Sequence, residues 1–313
     1  MLLSVIIPSY QHSDYVISCI AAAIDIPVQE KEIFVIDDGS TDDSPEIINK
    51  WIGTQSSDVN IQLISHENRG LVSVLNEGLA LISGKYVYVV ASDDVPIPHG
   101  IAKVLDVLMR KPEAGFAMGN ALAFYGNPDS PQKTWLTYTE RHKRFFDLTP
   151  LKRNEEIFLD YPVPLLVQAC VFKKSALKNA GGWDPKLEWD DFPLFVKMLN
   201  LYPEINTDFI YLPELTVVKY RQHEFNTYKN LKKQVFMIVQ TLTMLCPEKF
   251  KGKAIARVYA RFCFSAIKQK KFAQAMDLVR TSIADHGSSI TASQTIFIAW
   301  SLIKNRLLVR RML

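Results

Sequence analysis

The stretch that most constrains the fold is residues 85–94, KYVYVVASDD. It is a continuous run of apolar, β-branched and aromatic residues, which is typical of a strand buried on both faces of a parallel sheet. The run ends on the adjacent carboxylates Asp93 and Asp94. Ligands of open α/β sheets bind at the carboxyl ends of strands, and two hard oxygen ligands there suit Mg²⁺ or Mn²⁺ bridging a diphosphate. Alternatively, the two carboxylates open a turn and cap the next helix, whose start Pro96 and Pro98 favour.

The first hundred residues alternate predicted strands with predicted helices, a rhythm that indicates βαβ units and a parallel, doubly wound sheet. Strands are expected at 3–7, 32–36 and 61–65, and helices from a cap at Ser13 or Asp14 through Ile24, at 45–51 and at 71–82. Right-handed crossovers bring the ends of such strands to one edge. The polar exit loops 8–12, 37–42 and 66–70 are therefore expected to face one ligand.

Composition and missing motifs exclude several classes of protein. The chain has 313 residues, 48% of them hydrophobic, and its net charge of +3 is too small to indicate nucleic acid as a partner. Its four cysteines form no C-x-x-C pair, so neither a zinc site nor a disulfide framework is indicated, and a reducing cytoplasmic setting fits. The first strand is not followed by G-x-G-x-x-G, and there is no G-x-x-x-x-G-K-S/T, which argues against a dinucleotide-binding dehydrogenase and a P-loop. We expect a first strand rather than a signal peptide at the amino terminus, and no apolar run approaches the roughly 20 residues that span a bilayer.

The middle third carries fewer regular patterns. We expect a helix at 99–109, a turn at 127–131, a polar and aromatic loop at 134–151 near the acceptor side, and strands at 115–124, 165–172 and 215–220. Two polar motifs fall between the last two strands, Gly181-Gly182-Trp183-Asp184 and the acidic pair Asp190-Asp191. The acidic pair precedes apolar residues at helical spacing, so it is expected in the first turn of a helix, with N-capping by Asp190 as the structural alternative.

From about residue 228 onward the apolar residues recur at helical spacing. The segments 254–267 and 272–283 are expected to form an antiparallel helix pair, which faintly resembles a single tetratricopeptide-type repeat. The final stretch, 291–313, mixes apolar residues with Lys and Arg. It is interpreted either as a packed terminal helix with a solvated basic face or as an amphipathic helix on an anionic membrane surface. An exposed apolar face there could equally serve an oligomer.

Taken in order, these motifs resemble the family-2 inverting glycosyltransferases of the GT-A fold. The resemblance covers about residues 1–225 and rests on segments 4–10, 37–42, 67–70, 92–94, 181–184 and 190–191. It implies a Rossmann-like, mostly parallel central sheet with helices on both faces, followed by a C-terminal helical extension. The implied domains are a GT-A domain at 1–227, with a nucleotide-binding half at 1–100 and an acceptor half at 101–227, and a helical region at 228–313.

The resemblance also assigns roles in binding the nucleotide and a metal. Asp38 would accept a hydrogen bond from a nucleobase imide, Pro8 and Tyr10 would frame base and ribose, and Arg69, with Asn76 as a weaker candidate, would approach the nucleotide or diphosphate. Asp93 and Asp94 match the metal motif of the family, although Ala91 stands where many relatives have its first Asp. Which of the two binds Mn²⁺ or Mg²⁺ and which touches the ribose is therefore left open. His223 resembles a late residue that reaches the metal or diphosphate, with a purely structural histidine as the alternative.

The family's mechanism maps onto the acidic pair. Asp191 would be the general base, and Asp190, where a Glu is commoner, would bind acceptor or donor hydroxyls. Trp183 and Asp184 would line the sugar pocket, the indole offering a stacking face. The implied reaction moves a sugar from a nucleotide sugar, UDP-linked in the first instance, to a hydroxyl of a glycan or lipid-linked glycan. Surface polysaccharide synthesis, such as that of capsule or O-antigen, at the inner face of the cytoplasmic membrane would follow.

Two other functions fit parts of this sequence. A sugar-phosphate nucleotidyltransferase also uses an α/β nucleotide site with carboxylates, but it would carry a glycine-rich basic loop where this chain has residues 8–12, PSYQH. The second alternative is a non-catalytic glycan-binding protein that keeps a transferase fold without the activity. The presence of Asp38, Asp93, Asp94 and Asp191 argues against it.

Overall fold

The chain forms two compact units in a computed structural model that describes residues 1–55, 60–161, 164–223 and 230–311. The side chains of 286, 288, 289, 297 and 300–311 lie outside this description. The first unit is Met1–Asn154 with Pro162–His223, and the second is Glu155–Tyr161 with Glu224–Leu313. The boundary predicted at 227/228 assigns Glu155–Tyr161 to the acceptor half, whereas in the structure this short segment belongs to the second unit.

The first unit is built on one sheet, which has nine strands within the described residues. The strands are β1 Leu3–Ser9, β2 Lys31–Asp37, β3 Ile61–Ser65, β4 Tyr86–Val89, β5 Val95–Pro96, β6 Phe116–Gly126, β7 Pro131–Leu136, β8 Cys170–Lys173 and β9 Phe209–Arg221. The helices are α1 Val16–Ile24, α2 Ser44–Ile52, α3 Leu71–Leu81, α4 Pro98–Met109, α5 Glu140–Phe146, α6 Pro150–Leu159, α7 Lys174–Asn179 and α8 Asp191–Leu201, with the short 3₁₀ turn Val167–Ala169 before β8.

The strand order, β3-β2-β1-β4-β8-β6-β9-β5, gives a mixed sheet in which six of the nine described strands run in one direction and β5, β7 and β8 run in the other. Strands β1 to β4 pair in parallel, as do β6 and β9. Every residue of β1 and β4 is buried, because both faces of such strands are covered. A mostly parallel sheet flanked by helices was expected, and it is confirmed.

One antiparallel strand decides which strand ends meet. β8 lies between β4 and β6 and runs antiparallel to both, so β6 and its parallel neighbour β9 run in the same direction as β4. The carboxyl ends of β1, β2, β4, β6 and β9 consequently share one edge of the sheet. We name this the carboxyl edge, and it carries the candidate site.

Several segment predictions need correction. The strand predicted at 85–94 ends at Val89, because the chain turns through an Asp94 N–H to Ala91 carbonyl bond of 3.0 Å and then pairs as β5 with β9. The predicted loop 134–151 contains the end of β7, the whole of α5 and the start of α6, and α5 is begun by a capping box of Thr139 and His142. The predicted strand 165–172 is a 3₁₀ turn followed by a four-residue strand.

The second unit is helical, with α9 Leu231–Leu245, α10 Glu248–Lys268 and α11 Phe272–Arg311, the last interrupted at Gly287. Leu231, Cys263, Ala266 and Ala275 form an apolar cluster at its centre. Buried Arg257 donates to the carbonyl of Leu159 at 2.9 Å and to Gln294 at 2.8 Å. These bonds explain why residues 155–161 belong to this unit.

No helix among the described residues is both long and apolar enough to cross a bilayer. The terminal stretch 291–313, interpreted either as a packed helix or as an amphipathic membrane helix, falls partly outside the described side chains. Within its described part, Thr291 and Ile298 are buried and Ile296 is 68% exposed.

Candidate active site

The exit loops of β1 and β2 are joined along their length by backbone-to-side-chain hydrogen bonds. The N–H groups of Gln11 and His12 donate to Ser40 Oγ at 2.9 Å and to Ser44 Oγ at 3.2 Å. Gln11 has a left-handed φ of 56°, which turns the chain sharply just before His12. The position of the His12 backbone is therefore set by the second exit loop as well as by its own strand.

Two neighbouring carboxylates hold the exit loops of β2 and β3. Asp37 accepts from the backbone N–H of Ser40 at 3.0 Å, which closes its own turn. Asp38 is buried and accepts from the N–H groups of Arg69 at 2.7 Å and Gly70 at 2.9 Å. Between the loops, Gly39 has φ +73° and a Cβ there would lie 2.5 Å from the Asn68 nitrogen. Only glycine fits this close approach.

The residues predicted to bind the nucleotide differ in their burial and in their hydrogen-bond partners. Both oxygens of Asp38 hold the β3 exit loop, and each carboxylate oxygen retains capacity to accept a further bond. Pro8 is buried within β1, whereas Tyr10 is 47% exposed at its end. The Arg69 guanidinium lies 3.8 Å from Glu77 and is half-exposed. The nucleotide-binding roles of these residues stay predictions.

At the end of β4, Asp93 faces a histidine from the end of β9. His223 Nε2 lies 2.9 Å from Asp93 Oδ2, and both side chains are largely buried. Burial opposes ionisation of Asp93, but the bond to His223 and the nearby His12 outweigh it and bring its pKa below the usual value. The Asp93 carboxylate is therefore an anion held at the carboxyl edge.

His12 completes a group that the sequence analysis did not assemble. The group consists of His12, Asp93 and His223. Among the His, Cys, Asp and Glu side chains of the described residues, these are the one set of three whose potential metal-ligand atoms all lie within 4.8 Å of one another. Loss of hydration on burial lowers the pKa of His12, which favours the neutral imidazole that binds metals. Two imidazole nitrogens and one carboxylate oxygen form a donor set that fits a divalent transition metal.

Asp94 differs from Asp93 although it is adjacent. Its carboxylate accepts from the Arg221 N–H at 2.8 Å and from Gln168 Nε2 at 3.0 Å, and the side chain is fully enclosed. Burial and the charge of Asp93 raise the pKa of Asp94 well above its usual value. The role of Asp94 as a metal ligand stays a prediction, and each of its oxygens already accepts one bond from a protein donor. In the described part of the chain, Asp93 rather than Asp94 belongs to the group with His12 and His223, and the bonds of Asp94 position Arg221 and Gln168.

Arg221 ties the end of β9 to the ends of β4 and β6. Its Nε donates to the Asp93 carbonyl at 2.7 Å and its Nη1 to the Gly126 carbonyl at 3.0 Å. The guanidinium lies over the rings of Tyr15 at 4.5 Å and Phe124 at 4.8 Å. The sequence analysis gave Arg221 no role. Its position two residues before His223, at the end of the same strand, was the available indication.

The acidic pair opens α8, as expected. The helix begins at Asp191, and Asp190 at the N-cap position makes no side-chain capping bond, so capping does not explain Asp190. Asp191 Oδ1 accepts from the Val167 N–H at 2.7 Å. Burial and the charge of Asp190 raise the pKa of Asp191 well above its usual value, and burial also raises that of Asp190.

The 3₁₀ turn Val167–Ala169 connects the two acidic motifs. Val167 donates its backbone N–H to Asp191, and the next residue, Gln168, donates its side chain to Asp94. Asp191 at the start of α8 and Asp94 after β4 are therefore linked through hydrogen bonds from two consecutive residues. Sequence reasoning missed this turn because the segment 165–172 was interpreted as a regular strand.

The glycine-tryptophan motif lies differently from the prediction. Trp183 is 2% exposed, so its indole is part of the core and presents no open stacking face. Asn76 accepts from the Trp183 N–H at 3.0 Å and donates to its carbonyl at 2.8 Å. The side-chain amide of Asn76, a weaker candidate for contacting the diphosphate, is therefore bonded to the backbone of Trp183. Gly182 permits this approach, since a Cβ there would lie 2.6 Å from Asn76 Oδ1. Asp184 closes a local turn by accepting from the Lys186 N–H at 3.0 Å.

The fold and the site together define a class of protein. A mixed, mostly parallel sheet carries a metal-capable carboxylate–histidine group and an acidic helix start at one edge, and helices follow it in the chain. Solved structures show the same fold. S. aureus TarS 1-349 in complex with UDP-GlcNAc aligns with a TM-score of 0.60 at 16% identity, covering 97% of this chain and 92% of TarS 1-349. The mannosyltransferase PcManGT from Pyrobaculum calidifontis, in complex with GDP-Man and Mn²⁺, aligns with a TM-score of 0.56 at 16% identity over 96% and 80%.

The sequence comparison identifies the family. The profile described as Glycosyl transferase family 2 matches residues 4–176, and the chain belongs to that family, as the motifs predicted. Similar relatives include glycosyltransferase GlyG of Streptococcus pneumoniae, 29% identical over 44% of this chain and 43% of GlyG, and chondroitin synthase of Escherichia coli, 31% identical over 34% and 15%. Poly-beta-1,6-N-acetyl-D-glucosamine synthase of Staphylococcus epidermidis is 24% identical over 63% and 45%. The chain spans less than half the length of these relatives.

Proposed function

We propose that this chain is a metal-dependent, inverting glycosyltransferase that moves a sugar from a nucleotide sugar to a hydroxyl of a glycan or lipid-linked glycan. The observation that carries the proposal is the 2.9 Å approach of His223 to Asp93 at the carboxyl edge, joined through Asp94 and the 3₁₀ turn to Asp191. A cation site and a carboxylate base thus lie in one polar network. Such a transfer requires both.

The leaving group explains why a cation site is needed. A departing nucleoside diphosphate gains negative charge, and a bound divalent cation would neutralise it without proton transfer. Asp93 and His223 are the predicted ligands that best fit this role in the structure. Arg221 donates to the backbone carbonyl of Asp93 and His223 contacts its carboxylate, so Asp93 is held in place before any ligand arrives.

The base is Asp191. In the proposed step the acceptor hydroxyl gives its proton to the Asp191 carboxylate while its oxygen bonds to the anomeric carbon. The diphosphate leaves from the opposite face with the bonding electron pair, which inverts that carbon. A raised pKa makes Asp191 a stronger proton acceptor than an ordinary carboxylate.

We infer a UDP-linked donor as the first candidate. TarS was solved with UDP-GlcNAc and PcManGT with GDP-Man and Mn²⁺, so nucleotide-sugar binding accompanies this fold with more than one base. The carboxylate of Asp38 retains capacity to accept a further bond from a base N–H, and Tyr10 at the end of β1 is exposed. These residues support a pyrimidine diphosphate.

A calorimetric titration tests the donor. UDP, GDP and dTDP are titrated separately into the protein with and without Mn²⁺, and sugar transfer from the tightest nucleotide's sugar derivatives is then measured. We expect Mn²⁺-dependent binding with UDP tightest. Absence of binding for all three nucleotides in both conditions would contradict the proposal and favour a non-catalytic glycan-binding protein.

The acceptor is proposed to be a surface polysaccharide or its lipid-linked precursor, such as a capsule or O-antigen chain. Two relatives are named chondroitin synthase and poly-beta-1,6-N-acetyl-D-glucosamine synthase, which supports a polymeric glycan. In the acceptor half, the β6–β7 hairpin turns at the carboxyl edge and exposes Trp135 on β7. This hairpin is a suitable place for an acceptor sugar.

We also propose that the C-terminal end binds the inner, anionic surface of the cytoplasmic membrane, as a lipid-linked acceptor would require. Lys304, Arg306, Arg310 and Arg311 supply the charge. Sedimentation with phosphatidylserine-containing and neutral vesicles tests this, using a variant with these four residues changed to Gln. We expect binding to anionic vesicles to be lost. As a control, the same change at Lys232, Lys233, Lys268 and Lys270 is expected to retain it, and retention by both variants would contradict membrane binding through the terminus.

A further inference from the structure

We propose that His12 is a third protein ligand of the cation, so that the site has two imidazoles and one carboxylate and selects Mn²⁺ over Mg²⁺. The inference rests on the proposed function of the Asp93–His223 site and extends it to a residue to which the motif analysis gave no role. It depends on the histidine that stands four residues after the Pro8 of β1.

The three side chains come from three strand exits of the carboxyl edge. His12 follows β1, Asp93 follows β4 and His223 follows β9, and their ligand atoms all lie within 4.8 Å of one another. The 2.9 Å between His223 Nε2 and Asp93 Oδ2 is close to the roughly 3.0 Å that separates adjacent ligands of an octahedral ion bound at about 2.1 Å. The group can therefore accept a cation with little movement.

His12 is also oriented like a metal ligand. Its Nδ1 lies 2.8 Å from Ser92 Oγ, and Ser92 is fully buried. When Nδ1 donates its proton to that hydroxyl, Nε2 carries a free lone pair. Metal-bound histidines almost always hold their second nitrogen in such a hydrogen bond, which fixes the ring and the tautomer.

The neighbouring rings limit the movement of both imidazoles. His12 and His223 have ring centroids 6.2 Å apart at an interplanar angle of 82°, and Tyr15 stacks on His223 at 5.6 Å. The backbone N–H of His12 is fixed by Ser44 at 3.2 Å. These contacts direct both rings toward Asp93. A histidine that only supported a loop would not need a second imidazole fixed beside it.

The donor set predicts the metal. Mg²⁺ prefers oxygen ligands and keeps several waters, whereas imidazole nitrogens raise the affinity for Mn²⁺ and later transition ions. With His12 and His223 both bound, the site favours Mn²⁺. With His12 removed, one imidazole and one carboxylate remain, and the preference over Mg²⁺ is expected to shrink.

The test measures metal binding directly. Mn²⁺ and Mg²⁺ affinities are determined by calorimetry in the presence of saturating UDP, and pulsed electron paramagnetic resonance on the Mn²⁺ complex counts coupled histidine nitrogens. The variants are His12→Gln and, as a matched control, His99→Gln, which alters an exposed histidine of α4 outside the cluster. We expect His12→Gln to lose at least tenfold in Mn²⁺ affinity with little change for Mg²⁺, and the coupled nitrogens to fall from two to one. His99→Gln should match the unchanged protein.

The outcomes separate this inference from the proposed function. Full Mn²⁺ affinity and two coupled nitrogens in His12→Gln would overturn the inference, as would a single coupled nitrogen in the unchanged protein, a result that needs no variant. Asp93→Asn tests the site itself. If Asp93→Asn also leaves Mn²⁺ affinity unchanged, the proposed cation site fails; if Asp93→Asn loses Mn²⁺ while His12→Gln keeps it, only the role of His12 fails.

Discussion

The backbone N–H of Val167 donates a 2.7 Å hydrogen bond to the Asp191 carboxylate, although 24 positions separate the two residues. The bond holds the acid in one orientation while leaving its second oxygen to other partners. It stabilises the ionised form in part, yet burial and the neighbouring Asp190 still raise the pKa of Asp191. A partly enclosed carboxylate with that balance is suited to accept a proton.

Changing Asp191 to Asn should remove the base and keep the site. The Asn carbonyl can still accept from Val167, so UDP and Mn²⁺ affinities are expected to stay within about twofold, whereas sugar transfer falls by about 10²–10⁴. Calorimetry and a transfer assay measure the two quantities. Asp277→Asn, on the exposed face of α11, is the control and should not affect either. Transfer at the unchanged rate in Asp191→Asn would exclude Asp191 as the base.

The raised pKa of Asp191 predicts two effects of pH. The base acts only when ionised, so kcat/KM should fall with decreasing pH at a higher pH than an ordinary carboxylate near 4 would cause. The folded state also binds this proton more readily than the unfolded state, so the group makes unfolding easier as pH rises through its raised pKa. Asp191→Asn should consequently gain stability relative to the unchanged protein at neutral pH and lose that gain in acid. A Tm difference that is constant with pH would contradict the raised pKa.

Asp38→Asn should loosen the β3 exit loop. The carboxylate accepts from both Arg69 and Gly70, whereas an Asn offers one acceptor and places an amino group against the other N–H. We expect a loss of about 1–3 kcal/mol in unfolding free energy and weaker UDP binding, measured by denaturant unfolding and calorimetry. Glu67→Gln, an exposed change in the same loop, should leave both quantities unaltered. Equal stability of the two variants would show that the loop does not depend on Asp38.

Arg221→Lys keeps the charge but should disturb the carboxyl edge. The ammonium cannot donate to the Asp93 and Gly126 carbonyls together or lie flat between Tyr15 and Phe124. We expect unfolding free energy to fall by about 2 kcal/mol and Mn²⁺-dependent UDP affinity to drop. The matched change Arg110→Lys removes an exposed pair with Asp106 and should cost less than about 0.5 kcal/mol. A similar small cost for both would show that Arg221 contributes charge alone.

Trp135→Ala should weaken acceptor binding without altering donor chemistry. Trp135 is 38% exposed on β7, with the Tyr125 ring 5.7 Å away and Lys133 Nζ 5.6 Å from its centroid. The indole offers a large amphipathic face of the kind that is enriched at interfaces. We expect acceptor KM to rise about tenfold, equivalent to about 1.4 kcal/mol, with donor hydrolysis unchanged. Phe236→Ala, which alters an exposed aromatic residue of α9, is the control. Equal acceptor KM values for both variants would exclude the β6–β7 hairpin as the acceptor-binding site.

The sequence was informative wherever a feature depends on neighbouring residues. The buried strands β1 and β2, the helices α2 to α4 and the start of α8 at Asp191 were predicted within a few positions, because local apolar periodicity determines which face of an element is buried. The motifs also identified the family. The carboxylates Asp37, Asp38, Asp93 and Asp94 were expected together, since parallel strands end at one edge.

Only the tertiary structure decided which of these side chains are partners. His12 and Ser92 are 80 positions apart, and Asp93 and His223 are 130 apart. The antiparallel insertion of β8 brings the Val167–Ala169 turn beside Asp94, and packing places Trp183 in the core instead of a sugar pocket. The sequence by itself determined the strands, the edge and the family; the pairings arise from strand order, register and burial, which are set by contacts across the whole sheet and leave no trace in a local pattern.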